Sequence, residues 1–264
     1  GNDPNELGKV SIYCKEMGYD EINLNCGCPS SRVQKCNFGA SLMDDPNLVA
    51  ECVNKIQKNS NMITTVKCRL GLNEYKQKFL DDFIDIVRTK GNINHFIMHA
   101  RIAIMNLSTD QNRKIPPLQY EQVYSLKEKH PALKFSLNGG IKTLDEAEYY
   151  LTNNILTNEK KESLEGVMIG RAAYENPWIL TDVDERFYGK KNLNLTKKEV
   201  VYKYADYIDK VSQRIEDDDI SHVFAIYNAM VKPLVYLFIG ERGVAEFKRS
   251  LVNISAKKQK EDFS

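Results

Sequence analysis

Two hydrophobic periods alternate along the chain. Apolar and polar residues alternate with period two in "DEINLN" (20 to 25), "MITTVKCRL" (62 to 70), "NHFIMHAR" (94 to 101), "LKFSLNGG" (133 to 140) and "EGVMIGRA" (165 to 172), and each run predicts a strand. Helical spacing predicts helices between them, over 46–58, 75–90, 120–129 and 143–152, and a first helix runs from the "GNDPNELGKV" turn to residue 16. Strand, helix and strand at this cadence imply right-handed parallel crossovers, hence an α/β sheet or barrel. Past about Tyr188 the strands stop. Residues 196–255 carry apolar positions at i, i+3 and i+4 spacing, as in Val200, Tyr204 and Ile208, after the linker "YGKKNLNLT". The expected organisation is therefore an α/β domain over 1–188 and an all-helical domain over 195–264.

Parity within the strands locates the chemistry, because residues two apart share a face. Asn23 and Asn25 oppose Ile22 and Leu24, and Lys67 and Arg69 oppose Val66, Cys68 and Leu70. His99 and Arg101 oppose Met98 and Ala100, and Ser136 and Asn138 oppose Phe135 and Leu137. In all four strands the polar set lies at the C-terminal end, where a (β/α)8 barrel builds its active site. The final two strands lead into "LNGGI" and "MIGRAAYENP". Glycines there let the backbone approach a ligand closely, and Arg171 beside the second motif suits a phosphate, which barrels commonly bind after their last two strands.

Composition narrows the class. With 264 residues, 42% of them hydrophobic and 28% charged, the chain is long enough to bury a sizeable core. No run approaches the roughly 18 apolar residues of a membrane span, so no membrane partner is expected and a cytoplasmic location is. A formal charge of +1 means that any polyanion must be met by a local basic patch. The six cysteines (14, 26, 28, 36, 52 and 68) are too dilute for a disulfide framework. Cys26, Cys28 and Cys36 match no common zinc spacing, so no metal is expected.

"EINLNCGCPSSRVQ", "FGASLM", "VKCRLG", "MHAR", "NRKIPPL", "NGGI" and "MIGRAAYENP" occur in this order, and together they resemble the tRNA-dihydrouridine synthases, particularly the A-type branch. The resemblance implies an FMN-binding TIM barrel followed by a helical tRNA-binding domain. It also implies an enzyme that reduces D-loop uridines of tRNA, at positions 20/20a, with NADPH or NADH as reductant; a monomer is expected. On that basis Lys67 and His99 contact the flavin, and Asn138, Gly139, Gly140, Gly170 and Arg171 hold its phosphate. Asn25, Arg69, Arg101 and Arg113 face the uridine or its backbone.

Reducing the C5–C6 bond of uracil requires a hydride at one carbon, C6, and a proton at the other, C5. An ordinary cysteine thiol is mostly protonated at neutral pH, the form that donates. Cys28 is the expected general acid: Gly27 permits a tight turn out of the strand and Pro29 stiffens the exit. The resemblance aligns the same cysteine with the family's proton donor. Arg32, Lys35, Arg113 and Lys114 are expected at the rim of the same mouth, and Arg242, Lys248 and Arg249 on the helical domain.

The sequence departs from the family pattern at Ser31 and Ile102. By that pattern "EINLN" is the fourth barrel strand, so the expected fold is a TIM barrel lacking its N-terminal strands in this chain, with two open parallel edges. Two other functions fit parts of the pattern. A dihydropyrimidine- or dihydroorotate-type flavin oxidoreductase would act on a free small molecule, and a non-catalytic RNA-binding remnant would bind no flavin.

Overall fold

A computed structural model describes residues 1–157, 159, 164–212 and 229–251. The predicted helical pattern across 213–228 and beyond 251 lies outside the described residues. By compactness the chain divides into one unit of residues 1–141 with 145–170 and a second of 142–144 with 171–264. This division falls ahead of the 188–196 linker at which the sequence pattern changes.

The first unit alternates helix and strand: α1 (Pro4–Glu16), β1 (Glu21–Cys26), α2 (Ser31–Gln34), α3 (Pro46–Ser60), β2 (Ile63–Arg69), α4 (Gln77–Gly91), β3 (His95–His99), α5 (Tyr120–Lys129), β4 (Lys134–Asn138), α6 (Leu144–Thr152) and β5 (Gly166–Met168). Local chemistry sets the helix ends. The Asp3 carboxylate accepts the Glu6 N–H at 2.9 Å to start α1, and the Asp45 carboxylate accepts the Leu48 N–H at 3.0 Å to start α3. Proline follows at the first turn of both helices, where no intrahelical donor is needed. Asn61 and Asn92 then end α3 and α4 in the left-handed conformation, at φ 53° and 51°.

The five strands form one parallel sheet in the order β1-β2-β3-β4-β5. Sequential parallel order with a helix at the crossovers is the α/β arrangement of consecutive barrel units, as the sequence pattern predicts. One face is the core: Leu24, Cys26, Val66, Cys68, Phe96, Met98, Phe135 and Leu137 are buried. Val49, Val53 and Ile56 of α3 and Leu80, Phe83, Ile84 and Val87 of α4 are buried with them. These helices approach so closely that a Cβ on Gly91 would lie 2.7 Å from a Val53 methyl and 3.2 Å from the Ala50 Cα. The strand predicted over 165–172 is shorter in the structure. It ends at Met168, and "RAAYE", rich in good helix formers, coils as α7 (Arg171–Glu175).

The opposite face is mostly polar, with Ile63, Ile97 and Met168 set among its polar residues. Near the strand starts, the Thr65 hydroxyl donates to the Glu21 carboxylate at 2.5 Å and accepts from the Asn23 amide at 2.8 Å. His95 Nε2 and the Ser136 hydroxyl share a hydrogen bond of 2.8 Å across β3 and β4. A Cβ on Gly166 would lie 3.1 Å from the Ser136 oxygen, so the glycine leaves that pair its room.

The second unit contains α7, α8 (Val183–Tyr188) and α9 (Lys197–Ser212). Its core gathers Leu234, Leu237 and Leu251 against Trp178, Val200, Val201, Tyr204, Phe238 and Phe247. The Lys197 ammonium pairs with Glu241 and lies 5.2 Å from the centre of the Trp178 ring and 5.8 Å from that of Phe238. Among the described residues, no helix is long and apolar enough to cross a membrane and no group of three potential metal ligands occurs.

Burial pushes the His95 imidazole below its ordinary value, against the upward pull of Glu21 and Glu165, and Lys134 adds to the fall. The folded chain therefore binds fewer protons than the unfolded chain below about pH 6.5, and stability falls as the pH drops through that range. His130, also lowered by burial, acts in the same direction. Urea midpoints should decline between pH 7.5 and 5.5, and His95→Asn should flatten the slope; an unchanged slope in the variant would contradict this.

Candidate active site

The C-terminal ends of the strands bring the predicted residues into two tiers. In the sheet register Asn25 stands opposite Lys67, and in the next tier Arg69, His99, Asn138 and Met168 follow one another across β2 to β5. The chain leaves β1 immediately beside them. Asn25 Oδ1 accepts both the Gly27 N–H at 2.9 Å and the Cys28 N–H at 3.1 Å, which turns the backbone sharply and presents the Cys28 side chain at the strand end. Ser30 then caps the short helix α2, its hydroxyl accepting the Val33 N–H at 3.3 Å.

The far side of this turn is set by Gly39. Its φ is +60°, and a Cβ there would lie 2.5 Å from the Cys28 carbonyl oxygen and 3.0 Å from the Cys28 Cβ. The adjacent Ala40 N–H donates to that same carbonyl at 2.9 Å. Any side chain at position 39 would displace the thiol-bearing residue.

Arg69, expected to face the substrate, is only 3% exposed. Its Nε donates to the Gly27 carbonyl at 3.1 Å, and Nη1 donates to the carbonyls of Ile102 at 3.1 Å and Asn112 at 3.3 Å. One guanidinium thus joins the thiol turn to the loop that follows β3. Burial holds it down to about 10, with the nearby Arg101 adding to the fall, the Cys28 thiol opposing it and Arg113 lowering it further. It remains a cation at neutral pH. The loop it grips is organised by Asn112, which is fully buried. The Asn112 amide nitrogen donates to the carbonyls of Ile104, Leu107 and Ser108, at 2.8, 3.0 and 3.2 Å, and its oxygen accepts the Ile104 N–H at 2.8 Å. Arg101 extends the same pattern by donating from Nη1 to the Pro116 carbonyl.

Lys67 is lowered by burial first and by the Arg69 guanidinium next, with the Cys68 and Cys28 thiols opposing. The charges felt by Lys67 and Arg69 are thus those of guanidinium groups and thiols, which leaves this end of the sheet rich in donors. That is the chemistry of a site for an electron-rich or anionic group.

The glycine loop after β4 is shaped by the protein's own side chains. Gly139 has φ +116°, and a Cβ there would lie 2.7 Å from the His99 ring and 2.9 Å from Leu118. Gly140 has φ +75°, with Leu118 at 2.7 Å from the same construction. The Tyr120 hydroxyl donates to the Gly139 carbonyl at 2.5 Å, and burial pushes that phenol up to about 12, so it stays a donor at any physiological pH. Asn138 donates to the Met168 carbonyl at 2.8 Å. Gly170 closes the first unit, and a Cβ there would meet nothing within 4 Å. Arg171 opens the second unit as the first residue of α7.

Asn25, Cys28, Lys67, Arg69, Arg101, Arg113, His99, Asn138, Gly139 and Gly140 therefore belong to one end of one sheet and its loops. Sequence reasoning missed Gly39, Asn112 and Tyr120. For Gly39 the quoted "FGASLM" was the available signal; for the other two the decisive contacts lie between loops and leave no period in the sequence.

A family model described as Dihydrouridine synthase matches residues 1–264. The chain is 40% identical to the tRNA-dihydrouridine(20/20a) synthase of Shewanella oneidensis over 253 residues, which cover 95% of this chain and 70% of that protein. It is 41% identical to the protein of the same name from Vibrio cholerae over 212 residues, 80% of this chain and 62% of that one. With the Escherichia coli K12 protein of that name it shares 39% identity over 253 residues, 95% of this chain and 68% of that one.

Arg69→Lys keeps the charge but cannot span three carbonyls with one ammonium. It should destabilise the first unit by about 1–3 kcal/mol, the range for leaving buried acceptors unpaired. Urea unfolding measures this, with faster proteolysis in the 102–118 loop as the local sign; wild-type stability and cleavage would refute the clamp.

Proposed function

The chain belongs to the dihydrouridine synthase family, and on that premise we propose that it reduces uridine to 5,6-dihydrouridine in the D-loop of tRNA, at positions 20/20a. The observation that carries the reading is the Cys28 thiol, held by Asn25 and Gly39 at the same sheet end as Lys67, His99 and Asn138.

The donor-rich sheet end fits a flavin with a phosphate tail. Lys67 and His99 would meet its ring system, and Asn138, Gly139 and Gly140 its phosphate side; Gly170 and Arg171 are assigned to the phosphate on the family resemblance. FMN is the flavin we assign, with NADPH or NADH as the source of electrons. When bound and reduced, it supplies the hydride that reaches C6 of the uracil.

This chain's own residues do the rest. Cys28 donates its proton to C5, so hydride and proton together saturate the double bond. Asn25 commits its oxygen to two backbone N–H groups, which leaves its amide nitrogen to donate to a uracil carbonyl. Arg69 commits Nε and Nη1 to carbonyls, so Nη2 is the atom it offers the nucleotide. Arg101 and Arg113, whose charges Arg69 feels, add positive potential for the backbone of a base drawn out of its stack. The helical unit contributes the exposed Arg242 and Arg249 and the half-buried Lys248, whose ammonium lies 4.6 Å from the centre of the Tyr236 ring, for the body of the tRNA.

The test incubates the protein with FMN, NADPH and unmodified tRNA and measures dihydrouridine by mass spectrometry of digested nucleosides. Product in tRNA and none from free uracil or orotate supports the reading; turnover of the free pyrimidine alone would overturn it. Cys28→Ala should lower product formation by at least ~100-fold, as loss of a positioned acid does, with flavin absorbance still co-eluting. Wild-type turnover in that variant would remove Cys28 from the role.

A further inference from the structure

Arg69 secures the carbonyl on one side of Cys28. The carbonyl on the other side is held by a residue to which the sequence assigns no role. Gln34, the last residue of α2, donates from Nε2 to the Pro29 carbonyl at 2.7 Å and to the Met105 carbonyl at 2.9 Å. Both hydrogens of one amide are thereby spent on two backbone segments 71 residues from its own position and five residues from it. The Met105 segment belongs to the same loop that Arg69 reaches at Ile102 and Asn112. That loop is itself fixed, since Met105 N–H donates to the Asn73 side chain at 2.9 Å and Ile104 is bonded to Asn112.

We propose that Gln34 is a positioning residue for Cys28: together with Arg69 it straddles the thiol, tying the carbonyls of Gly27 and Pro29 to one loop, so that the thiol and the loop that carries Arg113 move as one body. The inference rests on the reading of Cys28 as the proton donor. Backbone freedom around Cys28 is removed from both sides: Asn25 and Arg69 hold the approach, Gly39, Ala40 and Gln34 the exit. A general acid must sit within hydrogen-bond reach of its target, and a displacement of about 1 Å is enough to reduce a rate by roughly 100-fold.

The test compares wild type with Gln34→Ala and Gln34→Glu; the second keeps the length of the side chain but replaces its donor with a carboxylate that repels both carbonyls. In both variants kcat for dihydrouridine formation should fall about 10- to 100-fold, while KM for tRNA stays within about twofold and flavin absorbance and Tm stay near wild type. Alkylation of Cys28 by iodoacetamide, measured by peptide mass spectrometry against the exposed Cys36 in the same molecules, should accelerate severalfold in the absence of tRNA. An unchanged kcat in the Glu variant, or a rise in KM with kcat intact, overturns the proposal, as does an unchanged alkylation ratio. If wild type makes no dihydrouridine, the functional reading fails by itself, and the alkylation ratio still decides whether Gln34 restrains the thiol.

Discussion

The active end of this sheet depends on one buried cation. Arg69 reaches from β2 to the carbonyls of Gly27, Ile102 and Asn112, which lie 42, 33 and 43 residues away in sequence. Burying a guanidinium is unfavourable unless its donors are satisfied, and here three backbone carbonyls take the donors of Nε and Nη1. The arrangement serves two purposes. It fixes the turn that carries Cys28, and it keeps a full positive charge beside the thiol, because carbonyl dipoles accept hydrogen bonds without neutralising the cation.

Around that cation the strand ends divide their labour. Asn25 spends its oxygen on shaping the turn and keeps its amide hydrogens, and Gly39 gives the Cys28 carbonyl space that any other residue would occupy. Asn112 replaces secondary structure in the loop after β3 by satisfying four backbone groups from a single side chain. Tyr120 performs the same service for the glycine loop, where left-handed Gly139 is pressed against the His99 ring. Polar residues that read in isolation as ligands for something absent are in part ligands for the protein's own backbone.

This explains what the sequence made legible. Period-two alternation placed the first four strands within a residue or two, and parity put Asn25, Lys67, Arg69, His99 and Asn138 on one face, because side-chain direction along a strand is a local property. The thiol was legible because glycine and proline flank it. The double duty of Arg69 was not, since its partners are carbonyls, which every residue carries and no sequence pattern marks. The same holds for Gln34, whose two acceptors have no side-chain signature. The last strand was overextended because "IGRA" continues the alternation of β5, although "RAAYE" has the stronger preference for helix.

The central claim is that Cys28 supplies a proton, and not an electron pair or a structural contact, to the pyrimidine ring. Turnover of unmodified tRNA in D2O, with a reductant whose transferable hydrogen is protium, tests this most directly, because a thiol exchanges with solvent before it reacts. The account predicts one solvent deuterium at C5 of the dihydrouridine, read by NMR or fragment masses of the isolated nucleoside, and loss of that product in Cys28→Ala. Protium at C5 would contradict it.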